Sequence, residues 1–356
     1  MKMTFRWFGK EFDSVPLEYI RQIPGVTGVV TSLMDIPVGE IWPKSRLHDL
    51  KEEINNNKLE LEVIESVNIH EDIKLGEKNR DKYIENYIET MKNLSEIGVK
   101  VICYNFMPIF DWLRTNLYRR LDDGSFTMEY NHSDVLNKSP EDFVSSQKEQ
   151  SAQRILPGWE PERLKELSLL FEQYKNINEE KYWSNIKYFL DAIIPIAEKL
   201  DIKMAIHPDD PPWPIFGLPR VITNRSNIRK FLDLYDSSYN CITLCTGSLG
   251  ANRDNNIADI AKEFAKSKRI AFAHIRNLKF EDQRKFYESA HLSSCGSFDM
   301  FEILKNLYDA GFNGYIRPDH GRLIWGEKAR AGYGLYDRAL GAVYLQGLWE
   351  AIDKLH

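Results

Sequence analysis

The chain has 356 residues, with 47 Lys plus Arg against 53 Asp plus Glu and a formal net charge of -6. That balance argues against a nucleic-acid scaffold, which carries a basic stripe. With 43% apolar and 28% charged residues, it is the make-up of a globular chain with a large core, not of a disordered or fibrous one.

The N-terminal stretch MKMTFRWFGKEFD mixes charges with aromatic residues and lacks the apolar centre of a secretory signal. No run approaches the roughly 20 apolar residues of a membrane helix. The nearest, 188–200, is broken by Asp191, Pro195, Glu198 and Lys199. A cytoplasmic protein is expected, with no membrane partner. Four cysteines, Cys103, Cys241, Cys245 and Cys295, make no disulfide framework in so long a chain.

In chain order, β-rich runs fall at 3–8, 26–33, 59–67, 100–106, 203–207, 241–245, 270–275 and 315–318. Helical periodicity lies between most of them, at 78–97 closed by Gly98, 181–200, 224–235, 257–266 and 298–310 closed by Gly311. Strands alternating with helices pair in parallel through right-handed crossovers, and eight repeats are the number that closes a sheet on itself. The expected fold is α/β, a (β/α)8 TIM barrel forming one domain over 1–356. An open doubly wound sheet is the competing arrangement, weakened because no G-x-G-x-x-G follows the first strand. One connection is far longer than a barrel loop. Residues 107–180 read as an insertion after the fourth strand, with a hairpin around Asp123-Gly124 at 120–130 and a helix at 161–175. It leaves from a strand's C-terminal end and is expected over that mouth of the barrel, as a lid or as an oligomerisation arm.

The last four strands end in MAIHPDDPP, ITLCTGS, AFAHIRN and YIRPDHG, which puts His207, Cys245, His274 and Asp319 at equivalent places. They are separated by 38, 29 and 45 residues, each about one βα repeat, so four neighbouring strands deliver them to one point. Singly, such residues are usually a hydrogen-bonded scaffold, a small buried hydrophobe or a helix cap. In register, two imidazoles, a thiol and a carboxylate make a donor set for a divalent ion: zinc suits the thiolate, Mn²⁺ or Fe²⁺ would leave positions open for a hydroxy acid. Cys241, four residues before Cys245, reads as core. Around the donors stand Asp209, Asp210, Asn277 and Arg276, whose guanidinium could fork onto a substrate carboxylate. His320 could act as an acid or base or brace a ligand, and Tyr333, between two glycines, could reach the mouth. Trp7 and Tyr104, with Arg6, Glu65, Ser66, His70 and Asn105, are further candidates for the pocket wall.

The motifs FRWFG (5–9), IRQIPGVTGVV (20–30), VIESVNIHEDIKLG (63–76), YNFMPIFDWLRT (104–115), AIHPDDPP (205–212), LCTGS (244–248), HIRN (274–277) and RPDHG (317–321) run nearly end to end. In them the chain resembles the D-mannonate dehydratase family. The resemblance implies a xylose-isomerase-like barrel, a hydro-lyase that converts the sugar acid D-mannonate to 2-dehydro-3-deoxy-D-gluconate in glucuronate catabolism, and Mn²⁺ or Fe²⁺ as cofactor. It places metal ligands at His207, Cys245, His274 and Asp319 and acid-base groups at His320 and Tyr333. Asp209, Asp210, Arg276, Asn277, Trp7 and Tyr104 are the expected substrate contacts, and a homo-oligomer is expected. A sugar isomerase or epimerase on the same barrel is the nearest alternative, since it would share the metal without releasing water. A metal-dependent nuclease would need a basic groove, and a non-catalytic binder would show affinity without turnover.

Overall fold

The structure, a computed structural model, describes residues 1–151 and 167–356. Eight parallel strands close into a barrel: β1 (Lys2–Arg6), β2 (Val26–Thr31), β3 (Glu60–Glu65), β4 (Val101–Tyr104), β7 (Lys203–Ile206), β8 (Asn240–Cys245), β9 (Ile270–Ile275) and β12 (Tyr315–Pro318). They neighbour one another in that order, and β12 returns to pair with β1. These are the eight strands expected from the sequence, shifted at most by a residue or two at their ends.

Side chains alternate across each strand, and that parity organises the core. Val30, Val63, Val101, Cys103, Ala205, Cys241, Ala271 and Phe272 pack together inside the barrel, so Cys241 is core as expected. The opposite faces, including Phe5, Ile64, Ile102, Ile206, Leu244 and Ile316, pack outward into the larger cluster shared with the helices. Helices Arg80–Glu96, Glu179–Leu200, Arg225–Leu234, Ile257–Lys266 and Met300–Asp309 answer the five expected periodic segments. Gly98 and Gly311 follow two of them with φ of 83° and 74°, the left-handed stop for which glycine is suited. Helix Lys44–Asn56 completes the second βα unit and was not singled out from the sequence. Among the described residues no helix is long and apolar enough to cross a membrane.

Four more strands form a separate antiparallel sheet in the order β10-β11-β6-β5. Strands β5 (Asn116–Arg120) and β6 (Phe126–Asn131) are the hairpin read around Asp123-Gly124. Strands β10 (Asn277–Asp282) and β11 (Lys285–Ser289) were not foreseen, and β11 pairs with β6. Only Arg276 separates β9 from β10, so this sheet starts where a barrel strand ends. Of the helix read at 161–175, the part in the described residues lies within Leu167–Tyr174; 161–166 fall outside them.

Close approach of β2 to β3 requires Gly28: a Cβ there would sit 2.8 Å from the Glu60 carbonyl oxygen, at a register shift in the pairing. Because backbone rather than a flexible side chain is in the way, Gly28→Ala is expected to cost about 1–3 kcal/mol. A lowered thermal midpoint in calorimetry checks it; an unchanged one would mean that the strands part without cost.

Candidate metal centre and active site

The C-terminal ends of the barrel strands surround a cavity of about 50 Å³. Its walls include Arg6, Glu65, His207, Asp210, Arg276, Arg317, Asp319, His320 and Tyr333 from the barrel, with Asp111 and Trp112 from the segment after β4. It shares Ser32, Met34, Ser66 and Asn68 with an adjoining chamber of about 460 Å³.

Three of the four expected donors form one cluster. One donor atom from each of His207, Cys245 and His274 lies within 4.8 Å of the others. Asp319 borders two of the three, with Oδ2 3.5 Å from Cys245 Sγ and Oδ1 4.0 Å from His274 Nδ1, and Glu65, Cys103 and His274 form a second cluster of the same spacing. His207 Nδ1 donates to the Pro208 carbonyl at 2.7 Å, which orients the ring and leaves Nε2 for Cys245. His274 Nε2 is buried and lies 3.4 Å from Glu65 Oε2.

Electrostatics suit the same reading. Burial pushes the Cys245 thiol up, but the Arg276 guanidinium and hydrogen bonds from His207 and His274 hold it well below its ordinary range, favouring thiolate. Burial also opposes a charged His207, yet its contact with Cys245 raises it to about 9. Asp319 stays ionised despite burial because His320, Arg317 and Arg276 face it; Arg276 Nε and Arg317 Nη1 each lie 2.8 Å from its oxygens. A thiolate, two imidazoles and a carboxylate are a donor set that fits a divalent cation.

Beside the donors, His320 Nε2 lies 2.9 Å from the Tyr333 hydroxyl and its Nδ1 lies 3.2 Å from Glu288 Oε1. Burial, reinforced by Asp319, drives the Tyr333 phenol well above its ordinary value, so it holds its proton at neutral pH. Asp210 and Glu288 form a buried ring with Arg114 and Arg276. Arg114 Nη1 donates to Asp210 at 2.7 Å and its Nη2 to Glu288 at 2.7 Å, while Arg276 Nη2 donates to Asp210 at 2.6 Å and Nη1 to Glu288. Gly247 of the LCTGS motif makes room for it: a Cβ there would lie 2.2 Å from Arg276 Nε.

The structure thus brings His207, Cys245, His274, Asp319, His320, Tyr333, Asp210 and Arg276 together. It does not bring the other four expected contacts to the cavity. Trp7 and Tyr104 face outward from β1 and β4 into the helix-side core, Tyr104 meeting Phe189 edge-on at 5.9 Å. Asp209 accepts from the Val221 and Ile222 amides, and Asn277 braces 292–298 through Leu292, Ser297 and Phe298. Glu288, Arg114 and Arg317 are site residues not singled out from the sequence.

A model of the D-mannonate dehydratase (UxuA) family matches residues 1–356. The chain belongs to that family. The mannonate dehydratase of Thermotoga neapolitana is 61% identical over 355 residues, covering 100% of this chain and 99% of its own. A crystal structure of mannonate dehydratase from Streptococcus suis serotype 2 superposes with a TM-score of 0.90 at 45% identity, covering 100% of this chain and 95% of that one. A xylose isomerase domain protein from Planctomyces limnophilus, 10% identical with a TM-score of 0.56 and 99% coverage of both chains, shares the fold: the barrel is xylose-isomerase-like, as expected.

Proposed function

We propose that this chain dehydrates D-mannonate to 2-dehydro-3-deoxy-D-gluconate with the help of a divalent metal, Mn²⁺ or Fe²⁺. The observation that carries the reading is the cluster of His207, Cys245 and His274, with Asp319 against Cys245, beside the His320–Tyr333 pair in a chain that the family model matches over residues 1–356. The reaction removes a weakly acidic proton from C2 and expels hydroxide from C3, and the resulting enol becomes the ketone. A divalent ion held by the four donors supplies Lewis-acid stabilisation for charge on substrate oxygens.

The chain's own residues move the protons. With Nδ1–H donating to Glu288, His320 keeps a lone pair at Nε2 and can accept the C2 proton. Tyr333, protonated and hydrogen-bonded to that nitrogen, can give its proton to the departing hydroxyl and recover one from His320. Trp112 packs edge-on against His320 at 5.5 Å. It comes from the 107–180 insertion, whose hairpin pairs with β11; this supports the insertion as a roof over the mouth.

Stripping the protein with a chelator is expected to abolish keto-acid formation from D-mannonate, and Mn²⁺ or Fe²⁺, added separately with Zn²⁺ as comparison, to restore it. Full turnover in rigorously metal-free protein would end this reading. A sugar isomerase or epimerase would release no water and form no 3-deoxy acid, so product analysis separates the two.

A further inference from the structure

Three arginines line the catalytic cavity, Arg6, Arg276 and Arg317, and they are not equivalent. Arg276 is tied to Asp210, Glu288 and Asp319. Arg317 is tied to Glu65 and Asp319. Each holds protein carboxylates in place and has its fork occupied. Arg6, 4% exposed at the end of β1, has no carboxylate partner among the described residues. Among the described residues its guanidinium makes one hydrogen bond, a long one, Nη1 to the Val30 carbonyl at 3.4 Å, and it stacks 4.3 Å from the Phe8 ring centre.

A guanidinium does not give up its proton in a protein, so Arg6 is a desolvated cation with most of its five donors unspent. Burial pulls its pKa down, and the largest compensating charge is Glu65, already engaged by Arg317. Such a group is costly to keep unless a ligand brings the missing anion. Its backbone is fixed: Arg338 Nη1 donates to the Arg6 carbonyl at 3.1 Å, and β1 is paired on both sides. The cation is therefore held at the cavity wall together with His207, Asp319 and Tyr333.

We propose that Arg6 is the residue that binds the substrate's C1 carboxylate, by a two-pronged charge-assisted hydrogen bond, and so selects sugar acids over neutral polyols. The assignment rests on the dehydratase reading above. It moves the role of carboxylate clamp from Arg276, whose donors are committed, to Arg6, whose donors are not. Holding the carboxylate there also neutralises the charge that makes its neighbouring C2 proton hard to remove.

The test uses the metal-loaded enzyme and two probes measured by calorimetry. A 3-deoxyhexonate has the carboxylate but no leaving hydroxyl, and the matching 3-deoxyhexitol has neither. Wild type is expected to prefer the acid, and Arg6→Gln to cut that preference about 10- to 100-fold, the range of one charged hydrogen-bonded pair. Metal content should not change, and affinity for the hexitol should stay within a few-fold. Arg6→Lys, which keeps the charge and loses the fork, should fall between them and serves if the Gln variant does not fold. An acid preference that survives both substitutions overturns the assignment. So does a variant with a shifted pH profile of kcat but unchanged acid affinity, which would make Arg6 a partner of Tyr333. Wild type that prefers the acid probe but forms no keto acid from D-mannonate would sink the proposed reaction and not this assignment. Keto acid from wild type with an unchanged preference in the variants would do the reverse.

Discussion

Replacing His320 by Asn is expected to lower kcat about 100-fold or more while leaving bound metal at the wild-type level. The imidazole is the only side chain that touches both Glu288, at 3.2 Å, and the Tyr333 hydroxyl, at 2.9 Å, among the described residues. Asparagine retains a hydrogen-bonding amide of similar reach, so the fold loses little; what it lacks is a nitrogen that can take and return a proton. Tyr333→Phe removes the other half of the pair. Residues that act as one unit are not additive, so the double variant should be hardly worse than the more damaging single one. Metal analysis and turnover measured on the same samples decide the matter. Unchanged turnover removes His320 from the chemistry, and lost metal with parallel loss of activity would make it a brace for Asp319.

Much of this site was legible in the sequence because barrel periodicity does the positioning. One donor per βα repeat at a strand's C-terminal end is sufficient to bring His207, Cys245, His274 and Asp319 together. What that spacing leaves open is which of two adjacent residues faces inward, and strand parity decides it. On β8, Cys241 faces the lumen and Cys245, four residues on, meets His207 and His274; on β4, Cys103 faces the lumen, which turns Tyr104 outward. On β1, Phe5 and Trp7 belong to the outer core, which turns Arg6 inward. Tyr104 and Trp7 are aromatic and sit at strand ends, a plausible pocket wall by composition, but a one-residue step reverses the face. Parity counted back from the donors was the available signal for Arg6.

Other features had weaker signals. Residues 277–289 alternate Leu278 and Phe280 with Lys279 and Glu281, then Phe286 and Glu288 with Tyr287, so the hairpin could be read in hindsight. Glu288 then falls on the same side as buried Phe286, an acidic residue facing inward, and no local rule says which cations await it. Arg114 lies 96 positions from Asp210 and 174 from Glu288; only the folded chain brings them together. Asp209 and Asn277 have side chains ordinary for loop braces, and only the amides near them show that they are used that way.

Glu288→Gln is expected to destabilise the protein by about 3–5 kcal/mol near neutral pH, the cost of breaking a buried ion pair from one side. Glu288 Oε1 accepts from Arg114 Nε at 3.1 Å and Nη2 at 2.7 Å, from Arg276 Nη1 and from His320 Nδ1. Without its charge, the two guanidiniums keep Asp210 between them, and Arg276 keeps Asp319. Burial alone would push the Glu288 carboxyl up, but Arg276, Arg114 and the His320 hydrogen bond bring it down to about 2 from an ordinary 4.5. A carboxyl depressed on folding adds stability that is fully present above its unfolded value and is lost as pH falls through its folded one. The gap between wild type and variant should therefore be full above about pH 5, shrink between pH 4.5 and about 2, and be smallest in stronger acid. Urea midpoints at pH 7, 4 and 3 check the sign: a gap that stays constant across them would mean that the carboxyl is not held by its arginines. Because the same carboxylate orients His320, the variant should lose turnover even where it is folded.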